Sequence, residues 1–216
     1  MGLICDCPLG AALPDVPVHD CPDSFGQIQK VIFQRLEKSA GEKNEFKTEG
    51  SDIKLKASWT SLLSAEDGTK VVVSPYITAP TTEAGAMRTY GGGNETVGGI
   101  EINIGREPTS FSGNLLRESQ DTVKALKQLQ CEGNLGVFLV DENGEIGAIA
   151  DDPSSPTSYT PIPIYGFFVS DKNLGGLEAP DTNVISWKFM PNWSDNLVRV
   201  KPTDFNPLTD LKKTSE

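Results

Sequence analysis

A chain of 216 residues, 37% hydrophobic and 23% charged, is long enough to bury an ordinary core without relying on disulfides. Its 30 acidic and 19 basic side chains leave a net charge of −11, which argues against a nucleic-acid reader that neutralises phosphates and against an anionic membrane surface. No apolar run reaches the length of a bilayer span, no secretory signal is read in residues 1–4, and 21 glycines with 15 prolines point to many turns and extended connections.

Residues 1–24 hold Pro8, Pro14, Pro17 and Pro22. Proline fixes φ and removes a backbone donor, so an extended arm without regular pairing is expected here. Leu9, Ala11, Ala12, Leu13, Val16 and Val18 make the arm apolar. Such an arm is expected to lie against something, in its own subunit or in a neighbour. The arm also carries Cys5, Cys7, His19 and Cys21, which are three of the four cysteines and the only histidine. They fall in two matched pairs, Cys5-Asp6-Cys7 and His19-Asp20-Cys21. Tetrahedral zinc takes four thiolate or imidazole ligands, and residues i and i+2 of an extended segment point one way, so each pair could chelate from one side. Structural zinc on these four is one expectation. Free thiols in a reducing compartment and a disulfide in an oxidising one are the alternatives. The start Met1-Gly2-Leu3-Ile4-Cys5 approaches an acylation signal, but Asp6 stands where that motif wants Ser or Thr.

Residues 25–36 read as a strand. Neither its Ile28, Lys30, Ile32, Gln34 face nor its Gln29, Val31, Phe33, Arg35 face is cleanly apolar, so both are expected to be partly covered. Residues 41–50 are polar and read as a mobile loop. Residues 53–59 set Ile53, Leu55, Ala57 and Trp59 against Lys54, Lys56 and Ser58, the clearest half-buried strand pattern in the chain. Residues 70–77 predict a further strand, β-branched at Val71, Val72 and Val73, with Pro75 at its edge. Residues 79–99 are rich in Thr and Gly and read as a long structureless excursion, a kind of segment that carries function or orders on assembly. A short alternating strand follows over 100–104.

Leu115, Leu116, Ser119, Thr122, Val123, Leu126 and Leu129 fall on one side of a helical wheel, which predicts a single helix over about 115–131. Ser119 is a candidate N-cap without a capping box, because Thr122 rather than Glu stands three residues on. Gly133 is expected to end the helix at positive φ. Burial of Leu116, Val123, Leu126 and Leu129 contributes about 1.5–3 kcal/mol each before entropy is counted, so a charge at Leu126 is expected to unfold or undock the helix. Cys131 lies off the apolar stripe and reads as a small filler. Residues 135–140 and 145–150 predict a hairpin around Asp141-Glu142-Asn143-Gly144, since Asn-Gly is a strong hairpin signal. Residues 151–161 read as a loop, 162–169 and 184–190 as apolar strands, and 202–216 as a tail that wraps the surface and frays.

This order predicts a mainly β fold, a β-sandwich or barrel-like antiparallel sheet with one packed helix. The expected organisation is an arm over 1–24, a single β-rich domain over 25–201 and a C-terminal tail over 202–216. No catalytic site is expected. His19 sits in the proline-rich arm, and nothing pairs a nucleophile with a base. Gly91 to Gly99 fail as a phosphate loop, because Gly99 and Ile100 stand where Lys and Ser/Thr are needed. Residues 141–145 fail as a calcium loop, since Gly144 comes fourth and Asp152 twelfth. Glu107, Asp151 and Asp152 receive no role, because 30 acidic residues make chance pairs common.

The layout resembles the tail tube proteins of tailed phages. The features that carry the resemblance are the apolar arm from Leu3 to Pro22, the Thr/Gly-rich excursion from Thr81 to Gly99, the mid-chain helix from Leu115 to Gln130, and strands on both sides of it. The run Cys21-Pro22-Asp23-Ser24-Phe25-Gly26-Gln27-Ile28-Gln29-Lys30 is similar to uncharacterised proteins from phages of gut bacteria. The resemblance implies a self-assembling virion structural protein, made in the host cytoplasm. Its rings stack into a tube, strands line an inner barrel, and arm and loop bridge neighbours. The implied partners are further copies and other virion proteins, with DNA passing an acidic lumen without specific binding. The alternatives are a small zinc-stabilised binding module and another head or tail component.

Overall fold

In the computed structural model, residues 15–18 and 24–212 are described. In chain order the elements begin with β1 (Ile28–Arg35), the small hairpin β2 (Glu37–Ser39) and β3 (Glu42–Lys43), β4 (Phe46–Lys47) and α1 (Lys56–Ser64). Next come β5 (Val71–Val73), β6 (Ile77–Glu83), β7 (Met87–Tyr90), β8 (Ile102–Arg106), β9 (Thr109–Leu116) and α2 (Gln120–Gln128). The chain continues through a 3-10 turn at Leu129–Cys131 into β10 (Leu135–Asp141), β11 (Ile146–Ala150), β12 (Ser158–Thr160), β13 (Ile162–Val169), β14 (Thr182–Phe189) and β15 (Leu197–Val200).

The centre is the antiparallel pair β1 and β10, with Ile32 opposite Phe138 and Phe33 opposite Val137. Alternate residues of this pair enter different cores. Val31, Phe33, Leu135, Val137 and Leu139 enter one, and Ile32, Phe138 and Val140 enter the other. Both faces are covered, which is why these strands carry apolar runs instead of alternating. The sheet divides at β10. One end of that strand passes to β11, which continues to β15, β12 and β4, while the other end passes to β13, β14, β9 and β6. β6 comes back against β1, so this second branch curls barrel-like around the first core. There Phe111 stacks on Trp187 at 4.1 Å and Phe33 meets Phe167 edge-on at 5.0 Å. α2 closes this core with Val123 and Leu126. The second core lies between the central strands and α1, where Trp59 sits 4.5 Å from Phe46 and 5.2 Å from Phe138.

The mainly antiparallel β class is as expected, and so are the β10–β11 hairpin and strands β13 and β14. Several local expectations are corrected. Residues 53–59 form no strand: Ile53 is buried, and α1 then places Trp59 and Leu63 one turn apart on its buried face. The helix has no side-chain cap at Leu55. Instead Asp204 Oδ1, remote in sequence, accepts the Lys56 N–H at 2.8 Å. Among the described residues two α-helices are thus present where one was expected. The mid-chain helix is also shorter, because Leu115 and Leu116 belong to β9. Ser119 does cap it, its hydroxyl accepting the Thr122 N–H at 3.1 Å. Gly133 is not at positive φ; the 3-10 turn ends the helix. Residues 41–50 include β4 and the buried Phe46, and residues 79–99 include part of β6 and all of β7. The segment expected to lie on the surface after residue 202 buries Leu208 and Leu211 in the second core.

Leu126 is 4% exposed on the inner face of α2. Leu126→Ala is expected to lower the unfolding free energy by about 2–3 kcal/mol. Leu126→Asp should detach the helix, read as lost amide protection over residues 120–128 in hydrogen exchange.

Candidate assembly surface

β6 and β9 are neighbours in the main sheet, and beyond the end of β14 their continuation is a two-stranded ribbon. They pair from Ile77 opposite Leu115 to Glu83 opposite Ser110. The Glu107 N–H then donates to the Ala86 carbonyl at 2.8 Å, and pairing resumes in β7 and β8 from Met87 opposite Arg106 to Tyr90 opposite Ile102. Glycine is required at the crossing, because a Cβ on Gly85 would stand 1.8 Å from the Glu107 carbonyl oxygen. Among the described strands β7 and β8 pair only with each other, and no residue of either strand is buried. At the base, the Arg106 guanidinium donates to Asn192 Oδ1 at 2.5 Å and ties the ribbon to the loop after β14.

The ribbon exposes Met87, Tyr90, Val97, Ile100, Ile102 and Ile104. At its tip Val97 is 99% exposed and Ile100 71%. A lone two-stranded ribbon is marginal in water, and exposed apolar surface concentrated on one protrusion marks an interaction site. The outer face of β13, β14, β9 and β6 has a different chemistry. Its rows run Tyr165, Lys188, Ser110, Glu83 and then Phe168, Ser186, Ser112, Thr81. The Thr81 and Ser112 hydroxyls lie 2.9 Å apart. Lys188 and Glu83 are the charged members of these two rows and have opposite sign. The net charge of −11 is therefore not gathered on these rows.

Cys5, Cys7, His19 and Cys21 lie outside the described residues. Cys131 is exposed in the 3-10 turn and does not act as a buried filler. Among the described residues no group of three or more His, Cys, Asp or Glu side chains could hold a metal ion. The carboxylates instead close turns. Buried Asp141 accepts the N–H groups of Asn143 at 2.9 Å and Glu145 at 2.8 Å, which shapes the hairpin turn around Gly144. Asp151 accepts from the Thr157 hydroxyl and from the Thr157 and Ser158 N–H groups, which hold it well below its ordinary value. Asp152 accepts from the Ser154 N–H and hydroxyl, so each acid closes its own turn.

Other carboxyls are lowered in the same direction. The Thr69 hydroxyl lowers Asp67, the bidentate Arg35 guanidinium lowers Glu132, the Lys127 ammonium lowers Asp171, and the Asn206 N–H lowers Asp210. A carboxyl lowered by folding stabilises the folded state above its unfolded value, and that contribution is lost as pH falls through the folded value. Each group is exposed or, for Glu132, half-exposed, and its share is small. Together they are expected to lower the urea midpoint progressively below about pH 4. An unchanged midpoint between pH 5 and pH 3 would contradict this.

No protein-family profile and no curated protein matches the chain. Among solved structures it is similar to a chain from the tail of an empty gene transfer agent particle with C6 symmetry, at 13% identity and a TM-score of 0.30. That likeness covers 56% of this chain and 80% of the other. A likeness of this size defines neither a shared fold nor a function.

Proposed function

We propose that the protein is a self-assembling virion structural protein, a ring subunit of a tail tube or of a tail-associated conduit for DNA. The observation that carries this reading is the β7–β8 ribbon, which holds its apolar side chains away from its own core. A neighbouring subunit that covered Val97, Ile100, Ile102 and Tyr90 would remove that surface from water and stiffen the ribbon. The β13–β14–β9–β6 face supports a lumenal role. Its central rows are hydroxyl-rich, and their single Lys and Glu cancel, so a sliding duplex meets no basic patch to hold it. Non-adhesion would then come from local neutrality and not from an acidic wall.

Negative-stain imaging and light scattering of the purified full chain at high concentration test this. Rings or tubes are the expected result. A compact monomer at every concentration would overturn the reading.

A further inference from the structure

β5 pairs with β1 alone, so its second edge is open among the described strands. A groove of about 350 Å³ lies beside it, lined by Val71–Val73, by Leu63 at the end of α1, and by Leu211 and Lys212 of the C-terminal segment. Lys30 also lines this groove. It is 6% exposed. Its Nζ donates to the Leu208 carbonyl at 2.7 Å and stands 4.2 Å over the Tyr76 ring. Both partners are neutral, and among the described residues no carboxylate pairs with it. Burial, and then the nearby Lys212 charge, lower its proton affinity, as expected for an ammonium without a counter-ion. Of the other charges at or near the groove, Lys212 is a solvent-exposed cation at its rim, and the rest have partners. Lys70 meets Glu66 at 3.3 Å, and Asp210 is bonded to the Asn206 N–H and the Thr209 hydroxyl. The groove therefore presents an apolar floor with one buried, uncompensated cation.

The chain contains a segment of complementary chemistry. No Lys or Arg precedes Lys30 itself, and Asp15 sits beside Val16 and Val18. These two valines are 85% and 89% exposed, so their own subunit leaves them uncovered. On an extended segment they point to the same side. Pro17 between them lacks an N–H, so docking would run through side chains and not through a continuous β-ladder.

We propose that the groove beside β5 receives the arm of a second copy of this chain, with Val16 and Val18 seated on Val71–Val73 and Leu211 and the Asp15 carboxylate directed to Lys30. This rests on the self-assembly reading above. It adds the partner surface and the pairing that selects it.

A photoreactive benzoylphenylalanine at Val73, in assemblies grown from equal parts of ¹⁴N and ¹⁵N full-length chains, tests it. The expected product joins position 73 to the peptide containing Asp15 and Val18, with mixed-isotope pairs present. Asp15→Asn cannot disturb the packed body, because Asp15 is exposed, and should cut that product about tenfold, the loss of one buried charge-assisted hydrogen bond. Lys30→Met should do the same. Same-isotope products alone would place a subunit's own arm in the groove and overturn the proposal. So would imaged rings or tubes that yield no arm product, although the self-assembly reading would survive. A monomer under all conditions would remove both.

Discussion

Aspartate at both Val97 and Ile100 is expected to abolish ring or tube formation and to leave the monomer's melting midpoint unchanged. Both residues lie beyond the paired part of the ribbon, and neither belongs to either core. Surface changes of this kind move fold stability by only about 0.5 kcal/mol. At an interface the balance is different. Each apolar side chain taken out of water contributes about 1.5–3 kcal/mol, so losing two weakens an inter-subunit contact by about 3–6 kcal/mol. That is a fall of about 10²- to 10⁴-fold in the association constant, before the cost of dehydrating two carboxylates is added. Sedimentation velocity across a concentration series reads the effect directly. Val97→Leu in the same assay should assemble normally, since it keeps the apolar surface. Full assembly by the double aspartate variant would remove the ribbon tip from the interface.

Trp59→Ala is expected to cost about 3–5 kcal/mol of fold stability, a large share of the roughly 5–15 kcal/mol that holds a domain folded. The indole is fully buried between Phe46 and Phe138, and its Nε1 donates to the Ile53 carbonyl at 2.8 Å. Trp59→Phe separates these contributions. It keeps most of the apolar contact and leaves the Ile53 carbonyl unpaired, at about 1–3 kcal/mol. The same core holds Leu208 and Leu211, and Asp204 caps α1. The alanine variant should therefore loosen α1 and the C-terminal segment together, seen as parallel loss of amide protection over residues 57–64 and 205–211. A loss below about 1 kcal/mol, the ordinary cost of an average substitution, would mean that the second core is not part of the cooperative unit.

Some of this architecture was legible residue by residue. The β10–β11 hairpin rests on a turn in which Gly144 takes φ 75° and Asp141 binds the turn's own N–H groups, all within a few residues. The Ser119 cap is equally local. β9 is not legible in the sequence, because Ser110, Ser112 and Asn114 alternate with only Phe111 and Leu115 as large buried residues, and Leu115 and Leu116 also fit the apolar side of a helix. α1 was mistaken for a strand, because the apolar spacing of residues 53–59 fits a period of two. What stabilises the helix there is Trp59 packing on β-strand aromatics and the Asp204 carboxylate, which accepts the Lys56 N–H at its first turn. The ribbon within residues 79–106 was read as structureless up to Gly99, because Thr and Gly are weak signals until the partner strand is placed opposite.

By itself the sequence determined the β-rich class, the acidic balance, the central hairpin and the lysine-free, apolar composition of residues 1–24, because these follow from composition, short-range periodicity and turn chemistry. Only the tertiary structure decided that β1 and β10 divide two cores, that the ribbon holds its hydrophobic residues in solvent, and that Lys30 is buried with no counter-ion among the described residues. Exposure and charge compensation depend on residues far apart in the chain, and no local pattern encodes which of them will meet.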